Sequence, residues 1–128
     1  MENFGQIVVV NESRHESIPG DITIFRNADA ACQWLEGWWV NDQEGSAFTI
    51  LGERLTLSAD KRGRVQVVKR DAYLNGPALV KDWLHSAATA VLKASQIKRG
   101  RIVSENEQIS VQAPTTLEEL IAIVGFTN

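Results

Sequence analysis

The sequence predicts an α+β domain: an antiparallel twisted sheet with two main helices and a short C-terminal helix packed on one face. Changes of apolar period, with turn residues between them, lead to that class. Apolar side chains alternate over 21–25 and again over 38–69, take helical spacing over 28–35 and 77–95, and are separated by Gly, Pro, Asn and Asp. At 128 residues the chain is too short to divide into two units with separate cores, so 1–128 reads as a single domain, and its 44% hydrophobic residues suit a packed interior.

The short apolar run Ile7 to Val10 predicts a first strand over Gln6 to Val10, and the polar stretch after it closes on a Pro19-Gly20 turn. Asp21 to Phe25 is a second strand, with Ile22 and Ile24 on one face and Thr23 and Phe25 on the other. From Ala28 the period changes. Ala28, Ala31, Cys32 and Leu35 form one helical stripe behind Asn27, whose carboxamide oxygen can accept a bond from a free first-turn N–H. Gly37 is placed as the stop of this helix, because glycine enters the left-handed conformation without steric cost, and Trp38 and Trp39 follow in an extended segment.

Between Trp38 and Lys69 three or four antiparallel strands fit, separated at Asp42 to Gly45, at Gly52-Glu53 and at Asp60 to Gly63. Leu55 and Leu57 share a face of one strand; Val65, Val67 and Lys69 share a face of the next. The sequence Asp60-Lys61-Arg62-Gly63 is a tight turn, since aspartate bonds its own backbone and glycine supplies positive φ. Pro77 suits a first helical turn, and Leu79, Val80, Trp83, Leu84, Ala87, Val91 and Leu92 repeat with helical spacing to about Ser95. Lys98 to Gly100 is a basic connector. Arg101 to Val103 and Gln108 to Val111 read as two short strands, and Pro114, Thr115 and Glu118 match a capping box that opens a last helix through Leu117, Leu120, Ile121 and Val124.

Composition excludes several kinds of function. The net charge of −3 and pI near 5.4 lack the basic face of a nucleic-acid binder, and their sign suits a basic protein partner. No basic N-terminal segment leads into an apolar run, and the apolar stretches fall far short of the ~20 residues that span a bilayer, so neither secretion nor a membrane partner is expected. A single cysteine cannot form an internal disulfide, which makes the cytoplasm the expected compartment.

Catalytic constellations are scarce. Nucleophilic catalysis needs a Ser or Cys, a His and a group to orient it. His85 shares its side of a helix with Lys81, Asp82 and Thr89, which reads as a solvated surface, and His15 lies in a polar loop among Glu12, Ser13 and Glu16. Cys32 falls on an apolar stripe and reads as core filler. One cysteine and two distant histidines give no metal spacing, the glycines are scattered without a phosphate-binding pattern, and no cofactor is expected. The pairs Asp42/Glu44 and Glu105/Glu107 could divide acid and base roles, but no apolar neighbour separates their pKa values. The clusters Lys61, Arg62, Arg64 and Lys98, Arg99, Arg101 fall in turns and read as solvated. The protein is therefore expected not to be an enzyme.

Core packing explains Trp34, Trp38, Trp39, Asp42 and Glu44 least well. Adjacent tryptophans in an extended segment point to opposite faces, so Trp38 and Trp39 do not both enter one core: either the second ring packs under a loop or a helix, or it is displayed at the surface, where tryptophan is enriched at interface hot spots and Asp42 and Glu44 would steer a basic partner. The segments DITIFRNADAACQWLEGWW and GSAFTILGERLTL, within Asp21 to Leu57, resemble small bacterial immunity proteins of polymorphic toxin systems in their order of strand, amphipathic helix and hairpin. Those proteins commonly place Asp before the hairpin glycine, where this sequence has Leu51 before Gly52. The resemblance implies a non-enzymatic protein that binds and blocks a toxin, and carries over no binding residues. The competing expectations are an accessory or regulatory domain that forms a homo-oligomer on a sheet edge, and a small hydrolase.

Overall fold

The computed structural model describes residues 4–98 and 113–127. It bears out the α+β class. Five strands, β1 (Val8–Glu12), β2 (Asp21–Phe25), β3 (Ser46–Thr49), β4 (Arg54–Ala59) and β5 (Val65–Asp71), form one antiparallel sheet in the order β2-β1-β3-β4-β5. Helices α1 (Ala28–Trp34) and α2 (Gly37–Asn41) connect β2 to β3, α3 (Gly76–Lys98) follows β5, and α4 (Leu117–Val124) is the last described helix. The strands expected at 101–103 and 108–111 lie outside the described residues.

The helices occupy both faces of the sheet, not one. On one side α3 and α4 bring Val80, Trp83, Leu84, Leu120 and Ile121 onto Ile7, Val9, Ile24, Phe48 and Ile50. On the other, α1 and α2 bring Ala31, Leu35 and Trp39 onto Val8, Val10, Phe25, Ala47, Leu55 and Val65. The physical reason is in the inner strand β1 and the residue before it. Ile7 to Val10 is apolar at successive positions, so it offers hydrophobic side chains to both faces, and each face needs a cover.

Local chemistry accounts for several boundaries. The Asn27 side chain accepts from Ala30 N–H at 2.8 Å and caps α1 as expected. Thr116, not Thr115, caps α4, accepting from Glu119 N–H at 3.3 Å, so the capping box is shifted one residue along. Asp60 accepts from the N–H groups of Arg62 and Arg64 at 2.8 and 2.9 Å, which builds the turn between β4 and β5 and holds its carboxyl below the ordinary range.

A register shift interrupts the β4–β5 ladder: Leu57 faces Val67, but the next residue back, Thr56, faces Lys69. Val68 is the extra residue, and it is exposed. The bulge reverses the alternation. Lys69 therefore joins Thr56 on the face opposite Leu57 and does not share a face with Val65 and Val67.

The two outer strands are β2 and β5. Thr127 N–H donates to Ile24 C=O at 2.8 Å on β2. Helix α1 touches both β2 and β5, so the sheet curls around it.

Candidate partner-binding surface and adjoining cleft

The connection between β2 and β3 is helical twice. Leu35 leaves α1 in extended conformation, Glu36 stays extended, and α2 begins at Gly37. Gly37 is thus a helix start and not a stop, and the reason for glycine is proximity: a Cβ there would lie 2.8 Å from Gly63 Cα in the β4–β5 turn. Trp38 and Trp39 consequently sit in a helix, where neighbours are about 100° apart, and not in a strand.

This geometry separates the two rings. Trp39 is only 7% exposed and packs with Leu35, Ala47 and Leu55, so it is core and not available to a partner. Trp38 is 56% exposed, with its indole N–H donating to the Glu36 carboxylate. Trp34, at the end of α1, is 44% exposed, with its ring 5.5 Å from that of Phe25. Asp42 is the exposed C-cap residue of α2, while Glu44 is half-buried and paired with Arg14. Four carboxylates, Asp29, Glu36, Asp42 and Glu44, and no Lys, Arg or His lie between Asn27 and Glu44. Of the four candidates, Trp38 and Asp42 remain on the surface; Glu44 ties down a loop, and Trp34 takes the place of Trp39.

Glu12 ends β1 directly opposite Asp21 on β2. Burial raises its pKa above the ordinary carboxylate range, the Asp21 charge adds to this, and the Trp39 indole N–H partly offsets both. Because the folded value is the higher one, the stabilising contribution is present below the ordinary glutamate range and is lost as pH rises through the elevated value. Glu12→Gln is expected to stabilise the protein at neutral pH and to flatten this limb. Urea unfolding midpoints measured from pH 4 to 7 check it.

Sequence reasoning passes over Glu16, which organises the polar ground beside α2. Its backbone carbonyl accepts from the Trp83 indole N–H at 2.8 Å, and its carboxylate accepts from Tyr73 and pairs with Arg54 at 3.0 Å. The bond to this carboxylate is the main reason that the Tyr73 phenol titrates above its ordinary range, with burial next. A glutamate in a polar loop carries no periodic mark. Glu16 also lines a cleft of about 270 Å³ beside β3 and β4, together with Arg14, Gln43, Arg54 and Thr56 and, on its smaller apolar side, Val40 and Leu57.

The chemistry-bearing residues do not converge on this cleft. His15 and His85 are exposed, on the β1–β2 loop and on α3. Cys32 is half-buried, and desolvation, with the Asp29 charge, pushes its thiol up. Among the described residues no group of three His, Cys, Asp or Glu side chains could hold a metal ion, and no helix is long and apolar enough to cross a membrane. Glu105 and Glu107 lie outside the described residues. Comparison with protein-family models, with curated proteins and with solved structures finds no match.

Proposed function

We propose that the protein is a non-enzymatic protein-binding domain whose α1–α2 surface engages a basic protein, and that it serves as a cytoplasmic immunity protein neutralising a cognate toxin. The observation that carries this reading is the exposure of Trp38, with Trp34 near it in sequence, on a stretch whose only ionised side chains are carboxylates. A large, rigid ring supplies contact area at low entropic cost, and carboxylates around it favour encounter with a cationic surface. The alternative is an accessory or regulatory domain that forms a homo-oligomer on a sheet edge.

Growth under co-expression tests the reading. Cells producing the toxin domain encoded beside this protein's gene are expected to survive when this protein is produced with it. Survival should be lost with Trp34→Ala/Trp38→Ala, although that variant folds, because both rings are substantially exposed. Full protection by the double variant would remove this surface from the account.

A further inference from the structure

Helix α2 begins and ends on a carboxylate. Its N-cap residue is Glu36 and its C-cap residue is Asp42, and both are exposed. The Glu36 carboxylate accepts from the Trp38 indole N–H, which holds one edge of the ring. Asp42 lies four residues beyond Trp38, and its N–H donates to Trp38 C=O at 2.9 Å, so the turn between them is helical and the two side chains leave the same face. The Trp38 ring is therefore bordered by one carboxylate at its N–H edge and by a second one turn further along.

No cation of the described residues answers this charge. Glu16, Glu44, Glu53, Asp60 and Asp71 each pair with an arginine or lysine, whereas among the described residues neither Glu36 nor Asp42 does. The arginines that lie over aromatic rings do so at Phe126 and Tyr73, which leaves the exposed Trp38 ring without one. A guanidinium is planar and weakly hydrated: it lies flat on an indole while its N–H groups, in its own plane, reach outward to carboxylates beside the ring. An ammonium is a compact, strongly hydrated point charge and matches this arrangement less well. We infer that Trp38, Glu36 and Asp42 seat an arginine side chain of the protein partner, with the guanidinium stacked on the indole and donating to the two carboxylates. This rests on the protein-binding reading and narrows its basic partner to one that presents arginine at the contact.

The probes are N-acetyl-arginine amide and N-acetyl-lysine amide, which carry the same charge, titrated at constant ionic strength into the full-length protein labelled with nitrogen-15. A saturable shift of the Trp38 indole N–H is expected, with half-saturation by the arginine probe at a concentration at least about threefold lower than by the lysine probe. Glu36→Gln keeps an oxygen to accept from the indole and removes the charge; it and Asp42→Asn should each raise the arginine half-saturation at least about threefold. Absence of a saturable shift at this N–H in the unmodified protein overturns the inference, whatever the variants do. Equal half-saturation by the two probes, or arginine binding unchanged in both carboxylate variants, also overturns it. Cells protected by Trp34→Ala/Trp38→Ala while the unmodified protein prefers arginine would remove the toxin-neutralising reading and leave the seat. Protection lost in that variant, with no arginine preference in the unmodified protein, would remove the seat and leave the reading.

Discussion

Trp83→Ala is expected to cost about 4 kcal/mol of folding stability, in the range for emptying a buried aromatic site. The ring is fully buried between α3 and the sheet and meets Phe48 edge-on at 5.2 Å. Its indole N–H also satisfies Glu16 C=O at 2.8 Å, so truncation removes packing and leaves a carbonyl without its partner. Trp83→Phe separates the two losses. It retains most of the ring and forfeits the hydrogen bond, for an expected cost of about 1–2 kcal/mol. Urea unfolding followed by circular dichroism checks both, and a cost below about 1 kcal/mol for Trp83→Ala would contradict the assignment of this ring as the centre of the α3 core.

Gly52→Ala should lose about 3 kcal/mol, for two reasons that act together. Gly52 has φ of +91° in the turn joining β3 to β4, a conformation that strains any side chain. A Cβ there would also collide with Pro77 and with the Gly76 carbonyl carbon, which is rigid backbone at the start of α3. The turn and the helix N-terminus meet glycine to glycine, and an added methyl pushes α3 away from its seat. Gly63→Ala supplies the contrast. Its φ is +80°, but its Cβ would meet nothing within 4 Å, so only backbone strain of about 1 kcal/mol is expected. Unfolding midpoints of the two variants should differ accordingly, and equal losses would show that the α3 contact contributes nothing.

The features legible in the sequence are those decided locally. Asn27 caps α1 because its side chain reaches an N–H three residues on, and the Asp60 turn closes through the same kind of short-range bond. The bounds of β2, Asp21 to Phe25, follow from alternation flanked by turn residues. The features that are not legible depend on residues distant in sequence. Read alone, Gly37 suggests positive φ at a helix stop, whereas its need for glycine comes from Gly63, 26 positions away in the β4–β5 turn. The restart of the helix at Gly37 reverses the expected setting of Trp38 and Trp39.

Other signals are present in the sequence but ambiguous. The unbroken run Ile7 to Val10 marks a strand covered on both faces, yet a short apolar run does not by itself distinguish one cover from two. Thr115 and Thr116 each have a glutamate three residues on, and only the backbone conformation selects Thr116. The bulge at Val68 and the Glu16 contacts leave no periodic trace at all.

For the proposed surface, the structure tests only which of the named residues are exposed. Trp38 and Asp42 are exposed, Trp39 is core, Glu44 is engaged by Arg14, and Trp34, in the same aromatic segment, supplies a second exposed ring.

The most direct test of the proposed immunity role is calorimetry, at fixed salt, of the product of the gene adjoining this protein's own, titrated with this protein and with Trp38→Ala. A central exposed tryptophan at a hot spot is worth about 2 kcal/mol or more, so binding should weaken at least about thirtyfold while the variant's unfolding midpoint stays unchanged. Binding within about twofold of the unmodified protein would contradict the claim that the α1–α2 surface is where the protein acts.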